Sequence, residues 1–437
     1  MNDFSWRNWS GHVHAHPADV LSPVRTADLA AAVAAAADRG QRVKPIGSGH
    51  SFTDIAVTDG LQLRMDRLDQ VLAIDAASGL VTVQGGIQIR KLNEVLASHG
   101  LALENMGDID LQTITGAIST GTHGTGARFG GIATQVRGLE LVLADGSVVT
   151  CSPTERPALF SAARVGLGAL GIITAVTLQC VPSFVLDCTE QPVPLEETLD
   201  GLDELVEGND HFEFYWFPHT STALHKRQTR LPGDAAVRPL GAFRSWFDDD
   251  FVVNVGFEAL LRLGTAFPRA IPGITKVVSG SLSSRTFADL SHQVFPSRRD
   301  VRFNEGEYAV PRAALPDLLR EIRRWVADSG ERVSFPLEVR FVAADDIPLA
   351  PTYQRDSAYV AFHQYHRLPY QRYFDAVEDI FAEVDGRPHW GKMHRLGHKE
   401  LRDRYPLFDE FVALRNELDP SGVFGNDYLT KVLGDPS

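Results

Sequence analysis

Cysteine is scarce in this chain, with three among 437 residues: Cys151, Cys180 and Cys188. The number is odd and none stands in a C-x-x-C spacing. The sequence therefore offers neither a disulfide framework nor a zinc site, and the three read as reduced thiols. Basic charge is also short. Forty-two Lys and Arg face 56 Asp and Glu, for a formal net charge of −14. That balance argues against a nucleic-acid or anionic-membrane partner, because both require basic surface. The opening stretch MNDFSWRNWS lacks the basic and apolar blocks of a secretory signal, so a cytoplasmic location is expected. One apolar run, VGLGALGIITAVTLQCV over 165–181, has the length of a membrane span. It holds three glycines, follows Arg164 directly and turns into a β-branched pattern. It reads as a buried loop entering a strand, without stable membrane insertion. No G-x-G-x-x-G links a strand to a helix, so the Rossmann fingerprint is missing.

What remains is an ordinary globular composition, 44% apolar and 22% charged, at a length that suits two domains. The segment TADLAAAVAAAADR (26–39) predicts a helix, with Thr26 or Asp28 as its cap and Gly40 as its stop. RVKPIG, LQLRM, VLAID and LVTVQ predict short strands. IRKLNEVLASHG predicts a helix, GLELVLADGSVVTC a hairpin around Asp145-Gly146, and GIITAVTLQCVP a further strand. Helices and strands mix over 1–182 without strict βαβ alternation, which predicts an α+β domain. Beyond Pro182, LEETLDGLDELVEG looks helical, 238–285 helical in parts, and HFEFYWFP, RVSFPLEVRFV and SAYVAFHQYH look like strands. They predict a second α+β domain over 183–385, followed by a C-terminal segment, 386–437.

Five stretches carry chemistry. In PIGSGHSFTD (45–54), glycines let backbone N–H groups converge on an anion, and His50 adds a nucleophilic imidazole. A plain turn with a hydrogen-bonded histidine is the alternative. QTITGAISTGTHGTG (112–126) packs four glycines among Thr and Ser hydroxyls, a donor-rich stretch suited to a diphosphate or to ring carbonyls. In LEVR, Glu338 and Arg340 alternate and share one strand face. A solvated cross-strand pair would explain them, but the apolar flanks SFP and FVA fit a site better. PHWGKMH (388–394) presents Lys392, and AFHQYH presents His363 with Tyr365 two residues on.

The pairing of PIGSGHS with TGAISTGTHGTG, followed by GLGALGIITAVTLQ, resembles the vanillyl-alcohol-oxidase superfamily of flavoproteins. Within it the chain is similar to the aldonolactone oxidoreductases, the family of L-gulono-1,4-lactone and D-arabinono-1,4-lactone oxidases, with alditol oxidase close by. The likeness extends to RPHWGKMH and LDPSGVFGNDYL. It implies an α+β protein with an FAD-binding domain over 1–182, a substrate or cap domain with an antiparallel sheet over 183–385, and a C-terminal segment returning to the FAD. It also implies FAD joined covalently to His50 through the 8α-methyl. Pro45, Ile46, Gly47, Ser48, Gly49, His50 and Ser51 would wrap the diphosphate. Thr113, Gly116, Thr120, Gly121, Thr122 and His123 would hold flavin and phosphates, with Ile172 or Ile173 toward the adenine.

On the substrate side, the resemblance implies that Glu338 and Arg340 contact hydroxyls and stabilise the reduced flavin. It puts Lys392 near the flavin N5, where Lys392 or His363 would help remove a hydroxyl proton. Tyr365 is expected to bind substrate beside His363. Asp108 stands where alditol oxidases carry a serine, which shifts the expectation from alditols toward lactones. Gly107 matches a position that gates oxygen. The expected reaction is oxidation of an aldonolactone such as L-gulono-1,4-lactone, as in ascorbate formation, with oxygen as acceptor. Alditol oxidation, or lactone dehydrogenation with a dye or cytochrome, are the alternatives. HVHAH (12–16) suggests a metal hydrolase, but no second His/Asp cluster follows it, so no metal is expected. A flavin-fold binding protein without turnover is opposed by the charged set Glu338, Arg340 and Lys392.

Overall fold

The computed structural model describes residues 4–241, 256–297 and 300–436. The alanine-rich segment forms a helix over Thr26–Asp38. Leu29, Val33 and Ala36, three or four residues apart, bury one face of it among Val43, Leu61 and Leu63. Its start differs from the sequence expectation. Arg25 takes the N-cap position with no side-chain capping bond. Asp28 instead pairs with Arg25, and Thr26 donates to Glu140, so neither hydroxyl nor carboxylate is free to cap. Gly40 follows the helix at φ +64°.

That helix packs on a parallel three-stranded sheet in which Leu61–Arg64 lies between Asp19–Leu21 and Val43–Ile46. Val43–Ile46 runs straight into the glycine-rich loop at 47–51. A five-stranded antiparallel sheet stands beside it, in the order Val148–Cys151, Val136–Val142, Ile172–Gln179, Leu80–Gln84, Val71–Asp75. The long apolar run is largely buried, irregular over 165–171 and a strand from Ile172 onward, as its glycines and β-branched residues predict. Among the described residues no helix is long and apolar enough to cross a membrane.

The rest of the chain builds an eight-stranded antiparallel sheet in the order Arg285–Leu290, Phe184–Pro194, Thr222–Pro232, His211–Trp216, Leu337–Val342, Ser357–Tyr365, Phe303–Pro311, Arg387–Pro388. The last of these strands lies just past the boundary expected at 385. Of the expected helical region 238–285, the structure shows Phe257–Ala266 and Ile271–Gly280, and 242–255 lie outside the described residues. Both faces of the sheet's centre are buried, and alternation sorts them by chemistry. One face presents Phe212, Phe214, Val339, Phe341, Val360 and Phe362 to the main apolar core. The helices Leu315–Ser329 and Gln371–Ala382 cover it with Leu319, Ile322, Tyr373 and Phe374. The opposite face carries Glu213, Tyr215, Glu338, Arg340, His363, Glu305 and Glu307 at the alternate positions. The C-terminal segment closes back on the first unit. Asn426 donates to the carbonyls of Asp54, Ile55 and Val57, and the Val43 N–H donates to the Val423 carbonyl.

Candidate active site

Two clefts meet at His50. The first is lined by every residue from Pro45 to Ser51, by Thr113, Gly116 and Thr120, and by Gly166, Gly168 and Ile172. Its two donor-rich loops touch. A Cβ on Gly47 would stand 2.2 Å from Thr113 Oγ1, so only glycine permits this approach. Thr113 Oγ1 in turn accepts the Gly116 N–H. The second cleft is lined by Gly107, Asp108, Thr122, His123, Glu305, Glu307, Glu338, Arg340, His389 and Lys392. His50, Ser51, Gln112 and Thr120 border both clefts.

The donor set of the first cleft fits a flavin dinucleotide. Bare backbone and hydroxyls line a long groove, and a nucleophilic imidazole stands at its end. Burial, aided by the nearby Lys392 charge, lowers the His50 pKa to about 4, so the ring is neutral at neutral pH. Trp9 stacks on His50 with centroids 6.0 Å apart.

Strand register assembles the second cleft. Glu213 is the register partner of Arg340, and Tyr215 that of Glu338. Arg340 Nε donates to Glu213 at 3.0 Å, its Nη2 bonds Glu338, and the same Nη2 reaches Asp108 at 3.5 Å. Tyr215 donates to Glu338 at 2.6 Å. Burial works against the Arg340 charge, yet Glu338, Asp108 and Glu213 hold the guanidinium pKa well above its usual value. Asp108 Oδ2 also accepts from Ser297 Oγ at 3.2 Å.

A second charged group faces this one. Lys392 Nζ lies 2.5 Å from Glu305 Oε2, and His363 Nε2 lies 3.3 Å from Glu305 Oε1. Burial would raise the Glu305 pKa, but Lys392 and His363 outweigh it and hold the carboxyl at about 2. Two residues on, Glu307 meets His123 Nε2 at 3.2 Å and is likewise held far below the carboxylate range, against the effect of its burial. Burial lowers the His389 pKa to about 4, and its Nδ1 accepts the Gly391 N–H.

The structure thus brings together Glu338, Arg340, Lys392, Asp108 and Gly107 around His50. Thr122 and His123 border the charged cleft and not the groove, while Gly121 borders neither. His363 is displaced by one residue's depth: it reaches the cleft only through Glu305. Tyr365 borders neither cleft. It shares a strand face with His363, as alternation demands, but lies past the end of the cleft. Helix Phe257–Ala266 covers it there, its hydroxyl donates to Glu258 at 2.7 Å, and its ring packs among Phe52, Leu261 and Phe303. Sequence reasoning missed Glu305, Glu307, Glu213, Tyr215 and His389. NEGEYAV carries the alternating-carboxylate signal that LEVR carries. His389 stands three residues before Lys392, in a stretch whose lysine is its plainer signal. Among the described residues no group of three His, Cys, Asp or Glu is placed to hold a metal.

The chain is similar to several known proteins. A profile of FAD-binding domains matches 17–152. L-Gulono-1,4-lactone dehydrogenase of Mycobacterium tuberculosis is 44% identical over 98% of this chain and 99% of that relative. L-Gulonolactone oxidase of Bos taurus is 36% identical over 98% of each chain, and alditol oxidase of a Streptomyces species 33% over 98% of each. Among solved structures, cholesterol oxidase of Brevibacterium sterolicum superimposes with a TM-score of 0.79 at 19% identity, covering 98% of this chain and 96% of that one. That likeness shows the vanillyl-alcohol-oxidase fold. A profile of D-arabinono-1,4-lactone oxidases matches 176–432, more than half the chain, and with these relatives it makes the chain a member of the aldonolactone oxidoreductases, FAD-dependent enzymes of that fold.

Proposed function

We propose that the protein oxidises an aldono-1,4-lactone such as L-gulono-1,4-lactone, with hydride passing to an FAD attached through His50 and electrons passing on to oxygen. The observation that carries this reading is that His50 borders both clefts, so a cofactor anchored there ends at the charged one. The working division is an FAD-binding unit over 1–182, a cap over 183–385 and a C-terminal segment, 386–437, that ties back to the cofactor loop.

When bound, the flavin supplies a two-electron acceptor for the hydride that leaves the substrate carbon. The chain's own residues do the rest. Arg340, Glu338 and Asp108 form a fixed donor–acceptor array for ring hydroxyls, preorganised because each charge is already paired. The hydroxyl proton has an acceptor chain in Lys392, Glu305 and His363. Lys392 takes it as its own proton passes by way of Glu305 to His363, so Glu305 itself ends ionised. Arg340 remains cationic throughout and offsets negative charge developing nearby. Neutral imidazole at His50 supports attachment, since the free lone pair is the nucleophile.

A second reading concerns the acceptor and the substrate. The 44% identical relative is named a dehydrogenase, which favours an acceptor other than oxygen, and the alditol oxidase relative favours a polyol. A panel of lactones and polyols, followed by oxygen electrode and in parallel by dye reduction, separates these. Flavin bleaching by lactones with oxygen uptake supports the reading above. Bleaching without oxygen uptake removes the oxidase part, and bleaching only by polyols removes the lactone.

A further inference from the structure

Lys44 lies on the strand Val43–Ile46, which delivers the chain into the glycine-rich loop. Alternation turns Val43 into the apolar cluster with Leu29 and Leu61, and Lys44 the other way. The residue is 2% exposed, and Nζ has no hydrogen-bond partner among the described residues. It borders the same groove as Gly47, Thr113 and Gly116. Its register partner Gln62 is fully buried, with an amide equally without partners among those residues.

Folded proteins do not tolerate a buried ammonium without an acceptor unless something else supplies one. Two charged groups lie near enough to act on it: Asp419 of the C-terminal segment, which attracts, and Arg42, which opposes. Asp419 is committed elsewhere, accepting the N–H groups of Val423 and Phe424 at 2.8 Å each. We propose that Lys44 is the buried cation that receives the diphosphate of FAD. The diphosphate is the anionic part of that cofactor, and the flavin, ribitol, ribose and adenine are neutral. The assignment rests on FAD occupying this groove.

A consequence follows for protons. Burial pulls the amine down to about 7 despite Asp419. A diphosphate beside it favours the ammonium and raises that value. FAD binding above pH 7 therefore takes up a proton, and affinity for FAD declines as the pH rises through this range.

The test titrates FAD and riboflavin, which has no phosphate, into apoprotein. A His50→Ala background keeps the flavin exchangeable, and it is compared with the same chain carrying Lys44→Met or Lys44→Gln. Calorimetry in two buffers of different ionisation heat reads the proton uptake. Both variants should weaken FAD by roughly 10–100-fold, the range of one charge-assisted hydrogen bond. They should leave riboflavin unchanged, abolish proton uptake at pH 8 and leave the apoprotein Tm level or higher. Unchanged FAD affinity with a lower apoprotein Tm overturns the proposal and makes Lys44 an internal partner of Asp419. Equal weakening of FAD and riboflavin also overturns it. Failure of the parent chain to bind FAD at all is a distinct result, which removes the flavin groove and this assignment with it.

Discussion

Lys392 and Glu305 form an ion pair of 2.5 Å in the lining of the charged cleft, on elements eighty-odd residues apart in sequence. Glu305 stays ionised there because the ammonium outweighs the effect of burial, and its pKa sits at about 2. An unfolded glutamate titrates near 4.3. A depressed carboxyl contributes stability that is present above the unfolded value and lost as the pH falls through the folded one. Glu305→Gln should therefore lower the Tm at pH 7, on the order of 3 kcal/mol for a broken buried pair. The gap to the wild type should close as the pH falls from about 4 toward about 2. Calorimetry across a pH series reads this. A gap independent of pH would show that Glu305 gains nothing from Lys392.

Arg340 holds three carboxylates, Glu213, Glu338 and Asp108, so its removal acts twice. Arg340→Ala should slow flavin reduction by about two to three orders of magnitude, the scale of one lost electrostatic donor. It should also destabilise the fold, because buried carboxylates lose their counter-charge. Stopped-flow reduction and a melting curve measure the two effects. Near-normal reduction in the variant would make Arg340 a structural clamp alone.

Gly107 tests the oxygen path. A Cβ there would stand 3.0 Å from the His123 carbonyl oxygen and 3.1 Å from Thr122 Cγ2, so the added methyl presses on the segment that borders the charged cleft. Gly107→Ala should slow reoxidation by oxygen and leave lactone-driven reduction and dye reoxidation nearly intact. Equal slowing of both half-reactions would make Gly107 a shaper of the substrate site beside Asp108.

Tyr365 tests how far the charged cleft extends. Its hydroxyl is spent on Glu258, away from the cleft. Tyr365→Phe should leave KM and kcat unchanged within twofold and cost about 1 kcal/mol of stability, the usual worth of one hydrogen bond. A KM raised tenfold would return Tyr365 to the substrate.

Much of this was legible in the chain. Two glycine-rich loops announced the groove beside His50, because close backbone approach leaves a mark that no side chain can imitate. The pair Glu338 and Arg340 announced the cleft, because ionic residues at alternate positions of an apolar strand cannot all face water. Glu305 and Glu307 obey the same rule in NEGEY and were open to the same argument. Tyr365 shows where alternation stops: period two fixes a face, but not how far along that face a cleft extends. That limit is set by helix Phe257–Ala266, which is distant in sequence. Lys44 was hidden for a related reason. A lone lysine in RVKPIG carries no local sign of burial, which the fold alone imposes on it. The first helix lost its expected caps to competing partners, Asp28 to the neighbouring Arg25 and Thr26 to the distant Glu140.

The central claim is that His50 carries the flavin at the junction of the two clefts. Protein purified after expression is precipitated with acid, washed, digested with trypsin, and the peptide containing His50 is weighed by mass spectrometry. The account predicts a yellow pellet and a His50 peptide heavier by one FAD, with both features absent in His50→Ala, which still binds FAD reversibly. A colourless pellet and an unmodified His50 peptide, from protein that turns over a lactone, would contradict it.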